Sequence, residues 1–138
     1  MHAATFRLKP GQDLLVEIER FTAQNNIQAG CVLCAVGSLT HAALRLANCT
    51  DYREFDGHFE IVSLTGTVSI NGSHLHISIS DGEGVTSGGH LVPGCAIYTT
   101  AEIVIASFPD QVYRRELCDQ SGYEELVVTP SAPDLDLR

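Results

Sequence analysis

The chain has 138 residues, which is enough for one compact domain that buries a core without disulfide support. Seventeen acidic residues against eight basic ones give a formal net charge of −9, which argues against nucleic-acid binding by the whole surface, because affinity for phosphate comes mainly from lysine and arginine. Only 18% of the residues are charged and 44% are hydrophobic, so either a large sheet-rich core or a second subunit must cover apolar surface.

The N-terminal part of the chain predicts a strand, a helix and a second strand. Residues 5–9 alternate as in a strand, and a Pro-Gly pair ends it. Asp13 is the expected N-cap of a helix that ends at Asn25. Apolar residues recur at helical spacing at Leu14, Ile18 and Phe21. Residues 29–39 are mostly apolar, as is typical of a central strand covered on both faces, with the helix as one layer and a subunit interface as the other.

The middle of the chain predicts further strands and a hairpin. Residues 41–47 favour a strand slightly over a short helix, and residues 49–57 predict a polar loop. Residues 59–70 alternate and are rich in β-branched side chains. The pair Asn71-Gly72 separates this run from residues 74–80 and is a strong hairpin signal. We therefore expect the end of the first run and the whole second run to be antiparallel neighbours.

The C-terminal part predicts three more strands, at residues 95–108, 112–118 and 123–129. Strands joined by hairpins, with one clear early helix, indicate an α+β fold with a mostly antiparallel sheet. We expect a single domain over residues 1–128 and a flexible tail over residues 129–138, which is short, acidic and contains proline.

Cysteine usage and the lack of targeting segments predict a cytoplasmic protein. The first ten residues lack the apolar region of a signal peptide, and no run approaches the roughly 20 apolar residues of a membrane span. The five cysteines form an odd set without framework spacing, so we expect reduced thiols. Cys31 and Cys34 lie in a predicted strand, where residues i and i+3 face opposite sides, and are interpreted as buried small hydrophobic residues.

Three of the six histidines lie in the glycine-rich segment from Asn71 to Glu102. His74 and His76 alternate with apolar residues and therefore share the polar face of a strand. Such residues lie about 7 Å apart at the backbone, so their imidazoles can approach one ion from opposite sides. A returning segment after the glycine-rich turn could place His90 beside them.

Two interpretations of these histidines stay open at the level of the residues. Histidines on the polar face of a half-buried strand often only hydrogen-bond to backbone or water. However, the surrounding serines and glycines leave room for a ligand, and no lysine or arginine between Asn71 and Glu102 would repel a cation. Three neutral imidazoles with an open fourth position suit zinc, and nickel or copper would also bind them. Glu102 lies in an apolar strand and has three possible roles. It could hydrogen-bond to a metal ligand, act as a general base, or simply face solvent.

A set of short motifs resembles the core of the plant and prokaryote conserved (PPC) domain family, over about residues 5–128. These motifs are Phe59-Glu60, Ser63-Leu64 with Gly66, the pair His74 and His76, Gly88-Gly89-His90, and Thr100-Ala101-Glu102. The resemblance implies a mostly antiparallel sheet of about seven strands with flanking helices. It also implies a homotrimer with histidine-lined sites that could hold zinc, in a family whose prokaryotic members are commonly labelled DNA-binding proteins.

In the plant members of that family, DNA contact is attributed to a separate AT-hook, an Arg-Gly-Arg-Pro element that enters the minor groove. The 138 residues contain no such element. A trimer would also carry three times the charge of −9, which repels duplex DNA. The resemblance therefore implies a trimeric platform more strongly than it implies DNA binding.

Three functions remain in competition. The first is a trimeric regulatory or binding module that holds a metal or a small ligand at His74, His76 and His90 and contacts partner proteins. The second is a zinc-dependent enzyme acting on a small molecule, in which Glu102 or Glu60 transfers protons. The third, direct DNA binding, ranks last because of the charge.

Overall fold

The computed structural model of the protein describes residues 1–132, which form one helix and eight strands. In chain order these are β1 (His2–Leu8), α1 (Leu14–Gln24), β2 (Gly30–Arg45), β3 (Tyr52–Val68), β4 (His74–Ser80), β5 (Thr86–Leu91), β6 (Ala96–Ser107), β7 (Gln111–Leu117) and β8 (Glu124–Pro130). The predicted antiparallel α+β fold is confirmed, with one more strand than expected and a single helix in this range in place of flanking helices. No helix among these residues is both long and apolar enough to span a membrane.

Six strands form one antiparallel sheet in the order β1-β6-β2-β3-β4-β5. The far end of β2 passes beyond β6 and pairs with β5, through Leu44 with Leu91 and Arg45 with His90. Strands β2, β3, β4 and β5 thereby close on themselves, and we call them the four-strand ring. Closure is feasible because β2 and β3 are 16 and 17 residues long, so one strand can pair with different neighbours along its length.

Helix α1 begins and ends where the sequence predicts. The Asp13 carboxylate accepts hydrogen bonds from the backbone N–H of Val16 at 3.0 Å and of Gly94 at 2.6 Å. The first bond caps the helix, and the second ties its start to the loop before β6. Phe21 stacks on Phe6 of β1 with ring centroids 4.1 Å apart. The helix therefore covers one face of the sheet, as predicted.

The core lies between α1 and the inward face of the sheet, and it determines where the histidines point. Leu75, Ile77 and Ile79 of β4 are all buried. Burial of a side chain of this size contributes about 1.5–3 kcal/mol. A one-residue slip would expose all three and bury the polar residues between them, so the register is strongly specified. The polar residues of β4, including His74 and His76, consequently face outward.

The outward face of the central strands carries large apolar side chains that the rest of residues 1–132 leaves uncovered. Leu33, Val36 and Val62 are 51%, 58% and 58% exposed. We call these three residues the apolar face. Cys34 is also exposed and Cys31 is half-buried, so the prediction that both are buried was wrong. The reason is that the single described helix covers only the other side of the sheet, and residues 1–132 supply no second layer.

Strand boundaries differ from the predictions mainly in the middle of the chain. Residues 52–57, predicted as loop, belong to β3, where they pair with the end of β2. These residues are mostly polar because this part of β3 is largely exposed, so alternation gives no signal there. The predicted tail begins at residue 129, but β8 continues to Pro130. Residues 133–138 of that tail lie outside the described residues.

Strands β7 and β8 form a separate hairpin that packs against the turn between β3 and β4. The backbone carbonyl of Tyr113 accepts hydrogen bonds from Ser69 and Asn71 side chains at 3.2 and 2.8 Å. The Arg115 guanidinium donates to the Thr67 hydroxyl at 2.8 Å. Because β4 begins directly after this turn, the hairpin lies beside His74.

Candidate metal centre

His74 and His76 lie side by side on the outward face of β4. Their Nε2 atoms are 3.2 Å apart, and their ring centroids are 5.0 Å apart. The hairpin at Asn71-Gly72 sets this arrangement, because it pairs Thr67 with His74 and Thr65 with His76. The predicted hairpin and its strand pairing are confirmed.

His90 joins the pair because β5 returns antiparallel to β4, which places it directly opposite His76. Its ring centroid lies 5.1 Å from that of His74 and 5.6 Å from that of His76. The two preceding glycines permit this approach. A Cβ atom at Gly88 would lie 2.8 Å from a backbone oxygen of β4, and one at Gly89 would lie 2.8 Å from the backbone oxygen of Arg45.

The three imidazoles fit a metal ion in spacing and in chemistry. One nitrogen from each ring lies within 4.8 Å of the others. Two nitrogens bound at about 2.0–2.1 Å in a tetrahedral site lie roughly 3.3–3.4 Å apart, close to the separation of His74 and His76. In addition, His90 Nδ1 is buried without a hydrogen-bond partner in the described structure, a costly state unless a ligand contacts it. This cluster could therefore hold a metal.

The surroundings keep two of these histidines neutral, which is the state that binds metal. Burial lowers the pKa of His90 to about 4, with the nearby Arg45 guanidinium and the other two histidines adding to the effect. Burial, His76 and Arg115 lower the pKa of His74 as well, and Glu125 opposes this shift. Neither histidine would therefore need to lose a proton at neutral pH in order to bind a cation.

A cavity of about 810 Å³ lies beside the cluster, between the four-strand ring and the β7–β8 hairpin. Its lining includes His74, His90, Arg45, Arg115, Ser73, Tyr123, Glu124 and Glu125. A smaller cavity of about 280 Å³ is lined by both His74 and His76. The histidines are thus accessible to a small molecule and are not sealed in the core.

Glu60 and Glu102, predicted to assist at this centre, lie elsewhere. Glu60 pairs with Ser38 of β2 and Ser80 of β4, at the opposite end of β4 from His74. Glu102 lies on β6 between Arg7 and Val36, and two strands separate β6 from β4. Neither lines the two cavities beside the histidines. Their placement therefore gives no support to the predicted role in proton transfer or ligand support.

Arg45 and Arg115 are the site residues that sequence reasoning missed. The segment from Asn71 to Glu102 indeed contains no lysine or arginine, but that observation concerns the chain and not the space around it. Closure of the four-strand ring brings Arg45 to His90, and the β7–β8 hairpin brings Arg115 to His74. No local pattern signals either contact, because both depend on pairings between distant strands.

Comparison with known proteins identifies relatives over most of the chain. Residues 1–109 match the model of the Plants and Prokaryotes Conserved (PCC) domain. The bifunctional protein GlmU of a Synechococcus strain is 49% identical over 128 residues, which are 93% of this chain. The AT-hook motif nuclear-localized protein 13 of Arabidopsis thaliana is 33% identical over 75% of this chain. The chain spans only 20% and 26% of the lengths of these two relatives.

Solved structures share the fold. A hypothetical protein of Salmonella enterica has a TM-score of 0.93 and 39% identity, with 95% of each chain covered. A protein of Bacteroides thetaiotaomicron, described as a candidate DNA-binding protein, has a TM-score of 0.82 at 21% identity over 91% of each chain. A metal-containing protein of Archaeoglobus fulgidus has a TM-score of 0.78 at 24% identity, over 92% of this chain and 94% of that one. At such identities the last two show the fold alone.

Proposed function

This chain belongs to the Plants and Prokaryotes Conserved domain family, and on that premise we propose that it is a homotrimeric binding module with a metal site at His74, His76 and His90. The observation that carries the proposal is the convergence of three imidazole nitrogens within 4.8 Å at the mouth of a cavity. The module acts as a regulatory platform that responds to a metal or a small ligand.

Zinc is the metal that suits this donor set best. Three neutral nitrogen ligands with an open fourth position are the arrangement that zinc adopts where it contacts exchangeable ligands, whereas structural zinc usually has four protein ligands. Nickel and copper share the preference for imidazole and are the competitors to test.

The trimer is supported by the apolar face. Leu33, Val36 and Val62 present large hydrophobic side chains on a strand surface that residues 1–132 leave uncovered. Exposed large apolar side chains on a sheet face favour contacts between proteins. Self-association would bury it and would account for the low charged fraction of the sequence.

Direct binding to DNA is disfavoured by charge. Several relatives and structural neighbours carry DNA-related descriptions, but this chain has a formal net charge of −9. A surface with this balance lacks the phosphate contacts that supply most of the affinity for duplex DNA.

A zinc-dependent enzyme is the alternative function, and the cavity of about 810 Å³ beside the histidines favours it. A bound zinc ion would supply a Lewis acid and an activated water molecule. Tyr123 and Glu125 line the same cavity and would contact a substrate there. This reaction centre differs from the one expected from sequence, because Glu60 and Glu102 are remote from it.

Elemental analysis of the untagged protein, combined with light scattering, tests the proposal. We expect about one zinc per subunit in the wild type, loss of zinc in His74→Ala and His90→Ala, and a trimer mass in all of them. His58→Ala is the matched control, because His58 lies against Tyr98 and lines neither cavity beside the cluster. Absence of zinc from wild-type protein even after zinc is added would refute the metal site.

A further inference from the structure

Two half-buried arginines face the cavity beside the histidines, although the protein has only eight basic residues. Arg45 is paired in register with His90, and Arg115 is held by its hydrogen bond to Thr67. Among the described residues, no carboxylate lies within 4.0 Å of either guanidinium group. A partly desolvated guanidinium without a carboxylate partner is free to contact the oxygens of an anionic ligand.

Unpaired polar atoms support the same conclusion independently. Only two buried side-chain polar atoms of the described residues lack a hydrogen-bond partner, namely Ser73 Oγ and His90 Nδ1. Both residues line the cavity that contains Arg45 and Arg115. Because buried polar groups are almost always satisfied, the coincidence of both exceptions with one cavity points to a polar ligand there.

The charge around the cluster also requires an anion once a metal is bound. A dication held by three neutral imidazoles keeps its full charge, and two guanidinium groups add to it. Glu124 and Glu125 oppose this charge, but both are exposed on β8.

We propose that this cavity binds a small oxyanion, a carboxylate or a phosphate, whose oxygens contact the metal at the histidines and the guanidinium groups of Arg45 and Arg115. Ser73 donates a further hydrogen bond to the same ligand. Guanidinium groups match carboxylate and phosphate oxygens in planar, paired geometry, which makes arginine the suitable residue for both anions. The metal contact depends on the proposed function, whereas the arginine contacts do not.

Isothermal titration calorimetry on zinc-loaded and metal-free protein tests this inference at low ionic strength. The probes are lactate, its uncharged analogue lactamide, and methyl phosphate. We expect lactate or methyl phosphate to bind and lactamide not to bind, and the stronger of the two anions identifies the class. Arg45→Gln and Arg115→Gln should each raise the Kd of the anion about tenfold to one hundredfold, the effect of removing one charged hydrogen-bonding partner.

Arg114→Gln is the matched control, because Arg114 is the exposed neighbour of Arg115 and lines neither cavity. Its Kd should stay within about twofold of the wild-type value. Zinc content should be unchanged in all three variants, which shows that the histidines are intact. Arg45→Lys keeps the charge and should recover part of the affinity, which separates anion contact from loss of folding.

The outcomes separate this inference from the proposed function. Equal binding of lactate and lactamide, or equal losses in Arg114→Gln and Arg115→Gln, would overturn the anion site even if zinc is present. If the wild type takes up no zinc, the proposed metal site fails. Anion binding to that metal-free protein, weakened by Arg45→Gln, would still support the arginine contacts, and no anion binding would refute them.

Discussion

Two outward-facing regions of the same sheet contrast sharply. The apolar face consists of Leu33, Val36 and Val62, which stand on long central strands and line neither cavity beside the histidines. The histidine region, formed by His74, His76 and His90, lies beside two cavities, and one of them is also lined by the residues of the only two unsatisfied buried side-chain polar atoms among residues 1–132. The first surface offers exposed apolar side chains, which a protein contact would bury. The second offers a cavity and unsatisfied polar atoms, which a small polar ligand would contact. We therefore assign self-association and ligand binding to different parts of the sheet as separate, testable proposals.

Val36→Asp should have the largest effect of the substitutions that test whether self-association and ligand binding use different surfaces. A carboxylate in the centre of the apolar face would be buried without a partner in any contact there, which disfavours association by several kcal/mol. We expect light scattering to show monomers in place of trimers. Zinc content per subunit should not change, because Val36 pairs with Glu102 on β6, away from the histidines.

Val85→Asp is the control for that experiment, since Val85 is 60% exposed in the turn before β5, outside the apolar face. It should remain trimeric. Loss of zinc together with the trimer in Val36→Asp would mean that the metal site depends on a neighbouring subunit, and the two regions would then be one functional unit.

Gly89→Ala tests the histidine region, because it disturbs the pairing of β5 with β2 that closes the four-strand ring. The added Cβ would lie 2.8 Å from the Arg45 backbone oxygen, so β5 must move away from β2. We expect a loss of about 1–3 kcal/mol in the free energy of unfolding, measured by urea denaturation. Zinc affinity should fall as well, because His90 is the next residue.

Gly82→Ala is the matched control for ring closure, since a Cβ at Gly82 contacts nothing within 4 Å. Its stability should stay within about 0.5 kcal/mol of the wild type. If Gly89→Ala were equally neutral, the close approach of β5 to β2 would not be what positions His90.

The contrast between the two regions also explains what could be predicted from the sequence. The pairing of His74 with His76, and their position outside the core, followed from the alternation of β4 and the Asn71-Gly72 turn, which are local signals. The return of His90 required only one more hairpin. The positions of Arg45 and Arg115 could not be predicted. They depend on closure of the four-strand ring and on packing of the β7–β8 hairpin against the turn between β3 and β4, and both are contacts between residues far apart in the sequence.

Glu60 and Glu102 illustrate the converse case, because the sequence suggested a role beside the histidines and the strand pairing places both elsewhere. A carboxylate close to histidines in the sequence suggests a catalytic role. The distance between the side chains in the fold depends on strand order, however, and β2 and β3 separate β6 from β4. The apolar face was predictable in part. The sequence of β2 indicated that both sides would need cover, and the described chain covers only one of them, which exposes Cys34.

The smallest expected effect is a pH dependence of the free energy of unfolding that arises from the histidine region alone. In metal-free protein the pKa of His90 is about 4, below its ordinary value of 6.5, and the pKa of His74 is also lowered. The unfolded chain therefore binds more protons than the folded one between these values. Stability rises with increasing pH wherever the unfolded state binds more protons, so the free energy of unfolding should decrease as the pH is lowered from about 6.5 toward 4 and level off below, as far as these groups are concerned.

Urea denaturation of metal-free wild type, His90→Gln and His58→Gln would isolate this effect from the titration of carboxylates that all three share. The decrease should be shallower in His90→Gln and unchanged in His58→Gln, because His58 contacts Tyr98 and lies away from the cluster. Identical slopes in the three proteins would show that His90 is not held neutral by its surroundings.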